Sequence, residues 1–150
     1  MDDCRKLTIS IFHPEDQDEV KNLVLAGLVE HWGWLDPSKN PDLDDIATQY
    51  ASGVFFVAWQ ASRIVGAGAL IPRQDGVAEI VRMSVAKDVR RQGIGKKILS
   101  ELVNHARQAG FKRLILETTT TWQEVVEFYQ HCGFLITHCQ DGDTYFTLDL

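Results

Sequence analysis

Ala86-Lys87-Asp88-Val89-Arg90-Arg91-Gln92-Gly93-Ile94-Gly95, residues 86 to 95, joins two apolar runs of different period. Before it, Val77 to Val85 is β-branched and apolar enough for a buried strand. After it, Ile94, Ile98, Leu99, Leu102, Val103 and Ala106 recur by threes and fours, which predicts a helix. Gly110 stands where a left-handed C-terminal cap is expected. Two glycines between strand and helix allow a tight turn and leave its amides uncovered. Unpaired N–H groups and the positive end of the helix dipole then point at one spot, the arrangement of a phosphate site.

Charge supports this reading. The protein is acidic, with a net charge of -6, and its first and last thirds are the acidic ones. Lys87, Arg90, Arg91, Lys96 and Lys97 form a basic island at the glycine turn. The island is short and has no interleaved aromatics, so nucleic acid is not an expected partner. Gly93-Ile94-Gly95-Lys96-Lys97 has neither the spacing nor the Ser/Thr of a Walker loop.

With 150 residues, 45% hydrophobic and 24% charged, one globular domain over residues 1–150 is expected. No apolar run has the length of a membrane span. Met1-Asp2-Asp3 has no basic n-region, so a cytoplasmic protein without membrane association is expected. Cys4, Cys132 and Cys139 follow no disulfide spacing. The pairs His131-Cys132 and His138-Cys139 are adjacent rather than spaced for chelation, so no metal is expected.

Outside the turn, alternation over Lys6 to Phe12 predicts a first strand. His13-Pro14-Glu15-Asp16 opens a helix whose buried stripe is Val20, Leu23, Val24, Gly27 and Leu28. His31 to Lys39 reads as a loop with Trp32 and Trp34 as apolar anchors. Asn40-Pro41-Asp42 starts a second helix carrying Leu43, Ile46, Ala47 and Tyr50. Val54 to Trp59 and Arg63 to Ile71 read as a hairpin, and Asp75-Gly76 as the turn into the central strand. Lys112 to Thr118 is a strand that the intervening helix would make parallel to its predecessor. Thr121-Trp122-Gln123-Glu124 has the pattern of a capping box opening a helix that stops at Gly133. Phe134 to Cys139 and Tyr145 to Leu150 make a last hairpin around Asp141-Gly142.

Arg90-Arg91-Gln92-Gly93-Ile94-Gly95 resembles the pyrophosphate-binding signature of GCN5-related N-acetyltransferases (GNAT), Gln/Arg-x-x-Gly-x-Gly/Ala. Glu127-Phe128-Tyr129-Gln130-His131-Cys132-Gly133-Phe134 is similar to that family's helix-borne Tyr followed by a Gly-Phe entry into a strand. The resemblance implies a three-layer α/β/α fold with a mixed, mostly antiparallel sheet of about seven strands and four helices. It implies that the central strand and the strand after the long helix splay apart around acetyl-CoA. Met83, Ser84 and Val85 would then face the cofactor, and Arg90, Arg91, Gln92, Gly93, Ile94, Gly95 and Lys96 would hold its phosphates. Glu79 would be the base, Tyr129 would protonate the leaving sulfur, and an amide at or near Val85 would stabilise the oxyanion. Trp122 departs from the pattern, standing where many relatives have an Asn that contacts the cofactor.

Acyl transfer from a thioester to an amine needs a base, an oxyanion donor, a proton for the thiolate and in-line placement. Each role has a plainer alternative: Glu79 could pair with Arg82 or face solvent, and Tyr129 could be merely packed. Trp32 and Trp34 with Asp44, among the neighbouring acids Asp36, Asp42 and Asp45, could form an acceptor rim attracting a cationic amine. The same acids could instead serve the dipole of the second helix. A small-molecule or peptide amine is therefore the expected partner of an N-acetyltransferase, with a homodimer left open. The alternative is a non-catalytic sensor module for acyl-CoA or another nucleotide.

Overall fold

A computed structural model describes residues 6–150; Cys4 lies outside them. Strand β1 (Leu7–Ile11) leads through a 3-10 turn to α1 (Gln17–Trp32), and a second helix α2 (Ile46–Gln49) follows. Then come β2 (Val54–Gln60), β3 (Arg63–Pro72), β4 (Val77–Val85), α3 (Ile94–Gln108), β5 (Arg113–Thr119), α4 (Gln123–His131), β6 (Leu135–Gln140) and β7 (Asp143–Asp149). The sheet runs β1-β2-β3-β4-β5-β7-β6, and its one parallel pair is β4–β5, as a helical crossover requires. Helices α3 and α4 cover one face around Ile98, Leu102, Leu114 and Phe146. On the other face, α1 and α2 pack through Val20, Val24 and Ile46 over Val57 and Ala69.

The expected strands are present and the family's sheet is formed. β4 and β5 pair at Val77↔Arg113, Ala78↔Leu114 and Glu79↔Ile115, and no further. Beyond that vertex the strands diverge, leaving one edge of Ile80 to Val85 without a β5 partner. On its other edge β4 carries a bulge. Ala67 pairs with Ser84 and Ala69 with Val81, so Gly68 alone opposes Arg82 and Met83. Arg82 takes a left-handed conformation, φ 59°, that costs a non-glycine residue about 1 kcal/mol. Gly68 packs closely opposite it: a Cβ there would come within 2.6 Å of the Met83 sulfur and 2.8 Å of Ile98 Cγ2, so those side chains would have to shift.

Helix α3 begins at Ile94 and ends in a Schellman cap: Phe111 N–H bonds Ala106 O at 3.0 Å and Gly110 N–H bonds Arg107 O at 3.1 Å.

Three local expectations change. Helix α1 extends to Trp32 and stops at Gly33, a glycine that takes the left-handed cap (φ 78°). Trp32 and Trp34 are 54% and 64% exposed, so they do not anchor a loop. The second helix is broken in two, a 3-10 turn over Pro41–Asp44 and the short α2. Asp45 is non-helical between them, and its carboxylate accepts the Thr48 N–H at 3.3 Å as an N-cap. The capping box does not form, because the N-cap of α4 is Trp122. Glu124 then falls one position short of where its side chain could reach back.

Candidate active site

The fork between β4 and β5 opens on a cleft of about 1570 Å³. Met83, Ser84 and Val85 of β4 line one wall and Leu116 to Thr119 of β5 the other. The glycine turn closes one end with Arg90, Arg91, Gly93, Ile94, Gly95 and Lys96; Gln92 is exposed on the turn and does not line the cleft. Gly93 is the N-cap of α3, left-handed at φ 80°, with no atom within 4 Å of where a Cβ would sit. The amides of Ile94, Gly95 and Lys96 have no intrahelical acceptor, and no side chain caps them. The first turn holds no acid, and Lys96 and Lys97 stand there instead. That charge pattern opposes the helix dipole and suits an anion, so these residues fit a pyrophosphate.

The basic island is partly spoken for. Arg90 meets Glu30 of α1 through two bonds of 2.6 Å and reaches Val85 O at 3.2 Å through Nε. The Arg90 guanidinium holds the Glu30 carboxyl below its usual range. This clamp ties α1 to the end of β4. Arg91 and Glu124 approach at 3.5 Å, both largely exposed, which contributes little to stability.

Tyr129 projects from α4 into the cleft. It is 6% exposed and packed against Phe128, Phe134 and Phe146. Among the described residues its hydroxyl has no hydrogen-bond partner, and no fully buried side-chain polar atom is left unsatisfied. Burial, then the nearby Cys132, raise the hydroxyl's pKa, so it stays protonated at neutral pH. Trp122, in the place of the expected Asn, stacks on His31 of α1 at 4.1 Å and tilts against Trp32 at 5.5 Å. Both Trp122 and His31 line the cleft, so an aromatic seam joins α1 to α4 beside it.

Adjoining the cleft, on the α1/α2 face, is a recess of about 440 Å³ lined by Asp42, Tyr50, Ile71, Glu79, Arg82 and Glu117 among others. Glu79 sits here, not beside Tyr129, and its Oε1 accepts from Arg73 Nε and Nη2 at 2.8 and 2.6 Å. It does not pair with Arg82. Arg82 instead binds Asp42 by two bonds and Asn40 at 3.0 Å, while Tyr50 donates to Asp42 at 2.6 Å. Burial pushes the Asp42 carboxyl up, but Arg82 and Tyr50 together hold it below its usual value. Burial and the Asp42 bond push Tyr50 up to about 12.

Trp32, Trp34 and Asp44, the residues of the expected acceptor rim, line neither cavity, and Asp44 pairs with Lys21 of α1. Sequence reasoning missed Glu117, which lines both cavities, and missed Asp42 as the partner of Arg82. The signal for Glu117 was present: an acid closing the buried run Leu114-Ile115-Leu116. Nothing local marks Asp42 as an ion-pair partner rather than a helix-end acid.

Comparison with known proteins agrees with this geometry. The profile of the acetyltransferase (GNAT) family matches residues 18–134. A probable N-acetyltransferase 14 of Xenopus tropicalis is 31% identical over 103 residues, covering 66% of this chain and 50% of that protein. The chain thus matches about half the length of that relative. A GNAT-family acetyltransferase of Staphylococcus aureus Mu50 superposes with a TM-score of 0.89 at 21% identity, covering 97% of this chain and 99% of the other. A PaiA N-acetyltransferase of Thermoplasma acidophilum, solved with coenzyme A, superposes at 0.83 with 15% identity over 97% and 99%. The chain belongs to the GNAT acetyltransferase family.

Proposed function

We propose that this chain is an acetyl-CoA-dependent N-acetyltransferase that passes the acetyl group directly to a primary amine. The observation that carries the reading is the fork: one opening through the sheet joins an anion-ready helix end to a polar recess on the opposite face. A thioester held along β4 would have its phosphates at the Gly93 turn and its sulfur near Tyr129. The free edge of Ile80 to Val85 offers backbone groups to a pantetheine arm, and a β4 amide at or near Val85 is the oxyanion donor of this reading. Tyr129, protonated and otherwise unpartnered among the described residues, donates to the departing sulfur. A covalent acyl-enzyme is not part of the reading, because burial raises the Cys132 thiol and Cys139 is exposed on the outer strand β6.

Two measurements test the reading together: calorimetry with acetyl-CoA, and thiol release across a panel of primary amines. Micromolar binding with amine-dependent release is expected. Binding without release from any amine would favour a sensor module instead. No helix among the described residues is long and apolar enough to cross a membrane.

A further inference from the structure

We propose that the α1 wall of the cleft seats an aliphatic acyl chain longer than acetyl, in a slot opened at Gly27. The inference deepens the acyl-transfer reading above and rests on it: the same fork, with a longer acyl group on the thioester.

The helix argues first. Val24, Gly27, Leu28 and His31 all line the cleft, and their spacing of three, one and three puts them on one face of α1. Gly27 lies in the helix interior, where glycine weakens a helix relative to alanine. The two usual structural reasons for a glycine are missing. Its φ is not positive, so no left-handed turn calls for it. No packing neighbour stands within 4 Å of where its Cβ would sit, so no close approach calls for it either. What the absent side chain leaves is room, on a wall of the cleft.

Position argues second. Val24, Leu28 and Val81 share one apolar cluster. Val81 is the second β4 residue beyond Glu79, the last one paired with β5. The α1 wall therefore lies toward the vertex of the fork, while the Gly93 turn closes the other end. With its phosphates at that turn, a thioester reaches the α1 wall with its acyl end.

Polarity argues third. Val24 is 2% exposed and Leu28 half-buried, and one turn past Gly27 the His31–Trp122 stack at 4.1 Å gives the wall an aromatic edge. The adjoining recess is instead lined by Asp42, Glu79, Arg82 and Glu117. A polar amine suits the charged recess, and a hydrocarbon chain suits the wall that offers it no polar partner. The transfer itself is unchanged by chain length. The nitrogen lone pair forms the C–N bond, the C–S bond breaks with its electron pair on sulfur, and the proton that the free amine sheds balances the one that sulfur takes up.

The test measures binding of coenzyme A and of acetyl-, propionyl- and butyryl-CoA by calorimetry, for wild type, Gly27→Ala and Gly27→Leu. Wild type should bind butyryl-CoA about 10- to 20-fold more tightly than acetyl-CoA, the worth of two covered methylenes. Gly27→Leu should bring that ratio to about one, with Gly27→Ala between. Gly27→Ala should also melt about 2–4 °C higher than wild type, so its lost selectivity would not come from unfolding. Equal wild-type affinity for acetyl- and butyryl-CoA, or a loss in Gly27→Leu that falls equally on coenzyme A, overturns the slot. A second arm holds acetyl-CoA fixed and compares thiol release with spermidine and with phenethylamine. If Gly27→Leu changes discrimination between the amines and leaves the acyl ratio alone, the room belongs to the acceptor and the acyl assignment is overturned. A chain-length gain at Gly27 without thiol release from any amine supports the slot and overturns the transfer reading.

Discussion

Arg82 holds Asp42 through two parallel bonds, Nε to Oδ2 at 3.0 Å and Nη2 to Oδ1 at 2.7 Å, across 40 residues of sequence. The pair joins the 3-10 turn after α1 to the one bulged, left-handed residue of β4. It therefore fixes the recess and the strand edge of the cleft at once.

Asp42→Asn should cost about 2 kcal/mol, since both partners are about three-quarters covered and Arg82 would lose its counter-charge. The folded Asp42 carboxyl lies below its unfolded value near ~3.9, so its contribution is complete above that pH and is lost as pH falls toward the folded pKa. Urea melts of the two proteins should accordingly converge as pH drops below about 4. A constant difference from pH 7 to pH 3 would assign the loss to packing.

The two glycines of the turn should differ. Gly93→Ala places a side chain at φ 80° and should cost about 1 kcal/mol while weakening acetyl-CoA binding, because the α3 amides would be turned away. Gly95→Ala meets only Phe128 Cζ at 3.5 Å and Val85 Cγ2 at 3.6 Å, ordinary contacts, and should bind normally. Calorimetry with coenzyme A separates them; equal affinities would remove the turn from the phosphate site.

Tyr129→Phe deletes a hydroxyl with no described partner, so stability should move by less than about 0.5 kcal/mol. Turnover should fall by about 10²-fold with coenzyme A affinity nearly unchanged. A parallel loss of affinity and turnover would instead make Tyr129 a binding residue.

The aromatic seam predicts a kinetic effect. Trp122→Ala removes a 4.1 Å stack on His31 and the contact with Trp32, about 1 kcal/mol of seam between α1 and α4. Stopped-flow displacement should show coenzyme A leaving several-fold faster from the variant. An unchanged off-rate would confine the seam to a structural role.

Much of this protein was legible in its chain because the deciding signals are local. The 3.6-residue stripe from Ile94 to Ala106, the αL glycines at 93 and 110 and the Asp75-Gly76 turn each act within a few residues, and the structure keeps them all. Tyr129 could be placed on the apolar side of its helix for the same reason. Which carboxylate is neutralised is not local. Glu79 went to Arg73 and Arg82 to Asp42, and Arg90 reached Glu30 across 60 positions, choices made by distances that exist only after the sheet has formed. The same holds for Glu117, whose meaning depends on two parallel strands parting just before it. Sequence determined the strands and the glycine turn before α3, since backbone conformation and amphipathic period are properties of short segments. Tertiary packing alone decided which of these carboxylates are paired, since ion pairing depends on separation in space.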